Sequence, residues 1–172
     1  MSRLAPLLRI PVGVVVERRK ATSPWADMLW RPVAVLAGLP DAEPWTRLAS
    51  EGDAETFYAG AAEIELYRSE TEKYRFNLES GAPSIWAAIE ATGGEPPCAI
   101  ACVTADPAEG EALTETGQLI IEAVPMPDAL RDAVAAFVAA YPVEQMFKKR
   151  VRDRADPEVL ARRPRVGGSD ER

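Results

Sequence analysis

The chain has 172 residues, 47% of them apolar and 27% charged, which is the composition of an ordinary globular domain. It contains no histidine, which excludes Ser–His and Cys–His nucleophile pairs and most zinc sites. The sequence contains no run of about 18 apolar residues, so it predicts no membrane-spanning helix. Arg9 interrupts the apolar segment at the start of the chain too early for a signal peptide. We therefore expect a cytoplasmic protein.

The formal net charge of −7 is unevenly distributed along the chain. Counting Lys and Arg against Asp and Glu, residues 1–31 carry +4, residues 32–147 carry −15 and residues 148–172 carry +4. An acidic body repels phosphates, so we expect no nucleic-acid partner. The acidic body is better suited to binding a basic protein surface. A homo-oligomer is also possible.

The first 54 residues predict two strands and two connections. Alternating valines predict a strand over Val12–Val16, which ends at the basic triplet 18–20. A loop over Ala21–Trp30 leads to a second strand, Pro32–Leu36, whose proline stands at the start, where a missing N–H is tolerated. Residues 41–54 form a polar connection with one tryptophan as its large anchor.

A β-hairpin is predicted over residues 62–78. Apolar residues alternate with charged ones over 62–67, and the alternation resumes over 73–78. Matching apolar to apolar residues pairs Leu66 with Tyr74 and places Glu65 opposite Arg75.

The second half of the chain predicts three strands and two helices. In chain order these are strands Ser84–Ala91 and Cys98–Val103, a short helix from Asp106 to about Leu113, a strand over 118–123 and a helix Asp128–Tyr141. Asp106 and Glu109 have the spacing of a capping box with proline at the first helical position. The last helix carries an apolar stripe that includes Leu130, Val134 and Phe137.

This order of elements predicts an α+β fold. We expect a strongly bent antiparallel sheet or small barrel of about seven strands with a C-terminal amphipathic helix, the pleckstrin-homology-like order of elements. We expect one domain over residues 1–156, with Val143–Ala155 as a further docked helix. The composition of residues 157–172 predicts a disordered basic tail.

Cys98 and Cys102 are interpreted as two small buried apolar residues. Four residues apart in a strand, their Cα atoms would be about 13 Å apart, beyond the reach of a disulfide. The glutamates lack a histidine co-ligand, and no calcium loop or phosphate-binding glycine motif is present. We therefore expect no metal and no cofactor.

Two sets of residues are candidates for binding. The first lies in the basic and aromatic segment 18–31, where tryptophan and arginine are the usual anchors of protein interfaces. Its members are Arg18, Arg19, Trp25, Trp30 and Arg31. The alternative is a loop that folds back and buries both indoles.

The second candidate set is the one basic strand face within the acidic body, which could bind an anionic group. Lys73, Arg75 and Asn77 share this face, and Arg68 is a further candidate for binding the same anionic group. The alternative is that these side chains pair with Glu63 and Glu65 within the sheet.

Several segments together carry a family resemblance. They are Trp30–Leu36, Leu66–Arg68, Glu70–Glu72, Tyr74–Leu78, Pro83–Trp86, Val103–Glu109 and Val124–Pro127. Over about residues 10–155 the sequence resembles a family of bacterial proteins known as domain of unknown function 3305. The resemblance implies members mainly in proteobacteria, often encoded beside components of molybdenum-dependent formate dehydrogenases and small iron–sulfur proteins. It implies an accessory or maturation role and no catalytic residue.

We therefore expect a non-enzymatic accessory protein that binds a protein partner. The resemblance implies a role in maturation or assembly of a molybdenum-dependent formate dehydrogenase-type oxidoreductase, with an oxidoreductase subunit or a maturation factor as the partner. The alternative is a binding module for a small anionic ligand or cofactor. No motif supports a hydrolase or a transferase.

Overall fold

Two antiparallel sheets and three α-helices make up the computed structural model, which describes residues 4–22, 24 and 28–142. The strands are β1 Leu8–Lys20, β2 Met28–Ala37, β3 Thr46–Glu51, β4 Ala54–Leu66, β5 Ser84–Ala91, β6 Cys98–Thr104 and β7 Ile120–Pro125. The helices are α1 Thr71–Leu78, α2 Pro107–Thr114 and α3 Asp128–Ala140. The predicted α+β class is confirmed. The strands form one sheet in the order β2-β1-β4-β3 and another in the order β6-β5-β7, rather than a closed barrel.

β1 and β4 form the longest strand pair, thirteen residues each. Val12, Val14 and Val16 of β1 are fully buried and form part of the core. The strand extends beyond Val16 through the basic triplet to Lys20, where Arg18, Arg19 and Lys20 pair with residues of β2. The predicted loop Ala21–Trp30 begins at the right residue, since β1 ends at Lys20, but its end is wrong, because β2 begins at Met28 and pairs with the arginines of β1.

The predicted hairpin over residues 62–78 is also wrong. β4 pairs with β1, so Leu66 lies opposite Leu8 and Glu65 opposite Arg9. Residues 71–78 form α1. Its buried residues are three apart, Thr71, Tyr74 and Asn77, and two of them are polar. The alternating pattern conceals this helical spacing because Phe76, an apolar residue that fits the alternation over 73–78, is 70% exposed.

β3 lies in the stretch that was predicted to be a connection. All six residues of Thr46–Glu51 are exposed, so the strand has no apolar face for a pattern to reveal. It pairs with β4, and Leu48 lies at an irregularity in the pairing between Arg47 and Ala49.

The second half of the chain follows the prediction. Asp106 caps α2 by accepting hydrogen bonds from the backbone N–H groups of Ala108 (2.9 Å) and Glu109 (3.4 Å). Leu130, Val134 and Phe137 bury the apolar stripe of α3 in the core. The rings of Phe137 and Tyr74 meet edge to face at 6.0 Å and join α3 to α1.

Gly110 is needed where α2 packs on the second sheet. A Cβ at this position would overlap the indole of Trp86, a β5 residue. The helix therefore approaches the strand closely only because Gly110 has no side chain.

Three expectations concern residues outside the described ranges: the docked helix Val143–Ala155, the tail 157–172 and the placement of Trp25. In the part of the chain that is described, the longest helix has 13 residues and no helix could span a bilayer.

Candidate functional site

An open groove of about 540 Å³ lies between the β1–β2 hairpin and the β5–β6 turn. We call it the aromatic groove. It is lined by Arg18, Met28, Trp30, Trp45, Phe57, Glu95, Pro96 and Pro97. Its residues come from β1, β2, β4, the turn before β3 and the β5–β6 turn, so the folded sheets assemble it from distant parts of the chain. Such a mostly apolar concave surface with a few polar groups is typical of a binding site.

Three aromatic rings form the floor of the aromatic groove. Trp45 meets Trp30 edge to face at 5.8 Å, and Phe57 lies 5.8 Å from Trp30 and 6.4 Å from Trp45. These centroid distances are typical of favourable aromatic pairs. All three residues are only partly buried, so apolar ring surface remains available.

Trp45 adopts an unusual backbone conformation, with φ of 71°. The N–H of Thr46 donates to the carbonyl of Glu43 at 3.2 Å, so residues 43–46 form a tight turn with Pro44 and Trp45 at its centre. Proline followed by a residue with positive φ is the pattern of a type II turn, where the second position is usually glycine or asparagine. The backbone of a tryptophan at this position is strained, because its side chain disfavours a positive φ. The surrounding structure maintains this strained turn, and the turn places the indole in the groove.

Arg18 lies above the rings and is held by a carboxylate. Its guanidinium carbon is 5.6 Å from the Trp30 ring centroid and 5.2 Å from that of Phe57, within the range of a cation–π contact. The same guanidinium donates to Glu55 Oε2, while Arg47 donates to Glu55 Oε1 at 3.3 Å. These hydrogen bonds, that from Arg18 foremost, lower the pKa of Glu55.

A second arginine pair lies around Glu17. Arg31 donates to Glu17 Oε1 at 3.0 Å and Arg19 donates to the same oxygen at 3.3 Å. Partial burial raises the pKa of Glu17, but the hydrogen bonds from Arg31 and Arg19 outweigh this effect and the pKa lies below its ordinary value of 4.5. Arg19 and Arg31 line a separate depression with Leu29 and Ile120.

The structure therefore brings together two of the five residues predicted to bind a partner. Arg18 and Trp30 both line the aromatic groove. Arg19 and Arg31 lie outside its lining, around Glu17, and Trp25 is outside the described residues.

The second predicted set does not form a common basic face, because residues 71–78 are helical. Lys73 is 2.6 Å from Glu70 and 3.6 Å from Asp106. The hydrogen bond to Glu70 raises the pKa of Lys73, and the charge of Asp106 adds to this. Arg75 is exposed on α1, and Arg68 is exposed in the short 3₁₀ turn before it.

Asn77, the fourth residue of that set, is 2% exposed and joins three segments of backbone. Its amide nitrogen donates to the carbonyls of Ser84 (2.8 Å) and Ala105 (2.9 Å). Its side-chain oxygen accepts from the N–H of Ser84 at 3.0 Å. These bonds hold α1 against the start of β5 and the end of β6, so the geometry assigns Asn77 a structural role.

The two cysteines are unlinked, Cys98 buried and Cys102 half-buried in β6. Burial raises the pKa of the Cys98 thiol to about 11, and burial together with Glu109 raises that of Cys102. Among residues 4–142, apart from the short undescribed gaps, no group of three or more Cys, Asp or Glu side chains could hold a metal ion.

Sequence reasoning missed most of the aromatic groove. Phe57 lies in the part of β4 to which the sequence pattern assigns no element, and Pro96 and Pro97 are interpreted only as a turn. The Pro44–Trp45 pair was a usable signal for a tight turn. The unusual conformation of Trp45 is visible only in the structure, because tryptophan does not predict positive φ.

Comparison with known proteins identifies the family. Residues 11–151 match the model of a family described as protein of unknown function (DUF3305). The match covers most of the chain, which therefore belongs to this family, and the resemblance drawn from the sequence is confirmed. The chain matches no curated protein and no solved structure.

Proposed function

We propose that this member of the DUF3305 family is a cytoplasmic, non-enzymatic accessory protein that binds a protein partner through the aromatic groove. The observation that carries the proposal is the strained Pro44–Trp45 turn, which presents an indole to an open groove against Trp30 and Phe57. A bulky residue in a left-handed conformation persists only where the surrounding structure enforces it, and such sites are common where proteins bind.

The chemistry of the groove suits a protein partner better than a reaction. Its lining combines tryptophan, phenylalanine, methionine and arginine, the residue types enriched at the centres of protein interfaces. Met28 is 45% exposed and adds an adaptable apolar surface at the rim. Among the described residues of the lining, Glu95 is the one carboxylate.

The family resemblance extends the proposal to a class of partner. The gene association that it implies makes a subunit or maturation factor of a molybdenum-dependent formate dehydrogenase-type oxidoreductase the expected partner. This step depends on the family and not on the geometry.

Affinity capture from the native cell tests the proposal. The full chain is compared with Met28→Glu, which adds a charge at an exposed position of the groove, and with Phe76→Ala, which removes an exposed aromatic ring outside its lining. Both variants should keep the wild-type melting temperature, because neither side chain is buried.

The proposal expects one polypeptide that the wild type and Phe76→Ala both retain and Met28→Glu loses. The proposal would be contradicted if all three proteins captured the same polypeptide equally. It would also be contradicted if no polypeptide were captured in a constant molar ratio to the wild-type chain.

A further inference from the structure

A second cleft, with a volume of about 340 Å³, lies between the open edges of the two sheets. Among the described residues, β6 pairs only with β5, and β4 pairs only with β1 from Ala59 onward. The two edges approach each other at Gly60, where a Cβ would lie 3.7 Å from Ile100 Cδ1. We call this space the acidic cleft. Its lining comes from residues between positions 61 and 67, from residues 100–103 of β6 and from Glu109 of α2.

An open strand edge has backbone N–H and C=O groups without a ladder partner, and these groups can pair with a strand of another molecule. Proteins usually protect such edges, and one common way is to cover them with a helix or a loop. The edges of β4 and β6 border the same cleft, so one segment along the cleft would cover both. The arrangement of the two sheets therefore provides a docking site for a further segment.

Carboxylates set the charge of the acidic cleft. The charged side chains of its described lining are Glu63, Glu65 and Glu109. Arg9 of β1 lies 3.3 Å from Glu63 and 3.6 Å from Glu65, so one guanidinium is shared between these two carboxylates. The pair alone therefore keeps a negative excess, and Glu109 adds a third carboxylate.

Charges beside the cleft do not reverse this excess. Lys73 is shared in the same way by Glu70 and by Asp106, the cap residue of α2. Arg68, in the turn after Tyr67, is exposed. Counted over these described residues, the cleft and its neighbours have five carboxylates against three cations, so the site favours a basic occupant.

The described part of the chain ends close to the acidic cleft. The ring of Tyr141 lies 4.9 Å from that of Phe137, which lies 6.0 Å from the ring of Tyr74. The hydroxyl of Tyr74 accepts a hydrogen bond from the N–H of Tyr67 at 3.0 Å, and Tyr67 lines the cleft. A helix of 13 residues is about 20 Å long, so a segment that begins at residue 143 can reach along the cleft.

Residues 143–155, which continue the chain, have the charge that the cleft favours. They contain five Lys and Arg against two Asp and Glu. The sequence predicts an amphipathic helix here, because Val143, Phe147 and Val151 are four residues apart and share one face. The family match extends to residue 151, so the family pattern includes the first nine residues of this segment.

We propose that residues 143–155 of this chain dock in the acidic cleft. Their Lys and Arg side chains face Glu63 and Glu65, and their apolar face covers the edges of β4 and β6. A covalently linked segment has an effective concentration of the order of millimolar, so it occupies the cleft in preference to a separate basic protein. The described linings of the acidic cleft and the aromatic groove share no residue, so this inference is independent of the function proposed above.

Carbodiimide coupling of the full wild-type chain tests the inference. The reagent joins a lysine amine to a neighbouring carboxylate as an amide and takes up the water that is released, and the chain has four lysines. Peptide mapping by mass spectrometry should find Lys148 or Lys149 joined to a carboxylate of the acidic cleft. Lys73, 2.6 Å from Glu70, is the internal control for coupling. Unlabelled and nitrogen-15-labelled chains are mixed, so that links within a chain differ in mass from links between chains.

Amide hydrogen exchange, measured by NMR on the full chain, tests whether the segment covers the edges. The test variant and the matched control each reverse three charges. They are Lys148→Glu/Lys149→Glu/Arg150→Glu and Arg162→Glu/Arg163→Glu/Arg165→Glu. We expect the amides of β4 and β6 that face the cleft to exchange about 10-fold or more faster in the test variant and at the wild-type rate in the control. Exchange in α3 should be the same in all three proteins, which distinguishes uncovering from unfolding.

The inference is overturned if Lys148 and Lys149 form no link to the acidic cleft, or if the two variants exchange at the same rate at both edges. Links to the cleft that join differently labelled chains would assign it to a second copy of the protein and would overturn the inference as well. The coupling experiment uses only the wild-type chain, so its result does not depend on how the variants fold.

Discussion

Replacing Asn77 with alanine should destabilise the fold strongly, although asparagine on a short polar helix has the appearance of a surface residue. The substitution leaves the N–H and carbonyl of Ser84 and the carbonyl of Ala105 without their side-chain partner. Each buried polar group left unsatisfied costs about 1–3 kcal/mol, so we expect a loss of about 3–5 kcal/mol in the free energy of unfolding. That is a large part of the about 5–15 kcal/mol total of a typical domain.

Urea unfolding followed by tryptophan fluorescence measures this loss. With a slope of about 1–3 kcal/mol per molar urea, the midpoint should fall by about 1 M or more. Arg75→Ala is the matched control, since Arg75 is exposed on the same helix, and it should change stability by about 0.5 kcal/mol or less. A midpoint for Asn77→Ala equal to that of the control would refute the structural role and return Asn77 to the candidate anion-binding set.

Substitutions at four further positions test other parts of the structure. Gly110→Ala should lower the melting temperature despite the higher helix propensity of alanine, because its Cβ would overlap Trp86. Trp45→Gly should be about 1 kcal/mol more stable than Trp45→Ala, the reverse of the usual order, because only glycine adopts a φ of 71° without strain. Phe137→Ala should cost about 3–5 kcal/mol by denaturant unfolding, since the ring is 5% exposed. Burial raises the pKa of Tyr74 to about 12 from 10.0, so its contribution to stability is complete below pH 10 and falls as the pH rises to 12. Tyr74→Phe should therefore lose less stability than the wild type over that interval.

The elements that the sequence predicted well are those whose periodicity and end signals agree. The Asp106 cap and the proline that precedes Asp128 mark the starts of α2 and α3, and the buried face of α3 follows directly from its stripe. β5 and β6 were recognised because both are continuous apolar runs between turn residues.

The errors arise where burial does not follow hydrophobicity. α1 buries Thr71 and Asn77 and exposes Phe76, so an apolar pattern assigns the wrong period. β3 is exposed throughout, and the arginines of β1 remain within the strand through pairing with Glu17 and Glu55. In these three elements, hydrogen bonds and ion pairs between different segments determine the secondary structure. The pattern of apolar residues within one segment does not reveal such contacts.

The candidate site was predictable only in part for the same reason. Arg18 and Trp30 stood out because arginine and tryptophan are concentrated in one segment. Trp45, Phe57 and Pro97 join them from three other segments, and their meeting depends on the register of β4 and on the β5–β6 turn.

Site-specific photo-crosslinking in the native cell tests most directly whether the aromatic groove contacts a protein. A benzophenone amino acid replaces either Met28, which lines the groove, or Phe76, which is exposed outside its lining. We expect the probe at position 28 to trap one dominant polypeptide, with a lower yield when Arg18→Gln is added, and the probe at position 76 not to trap it. Equal trapping of the same polypeptide from both positions, or none from position 28, would contradict a partner-binding groove.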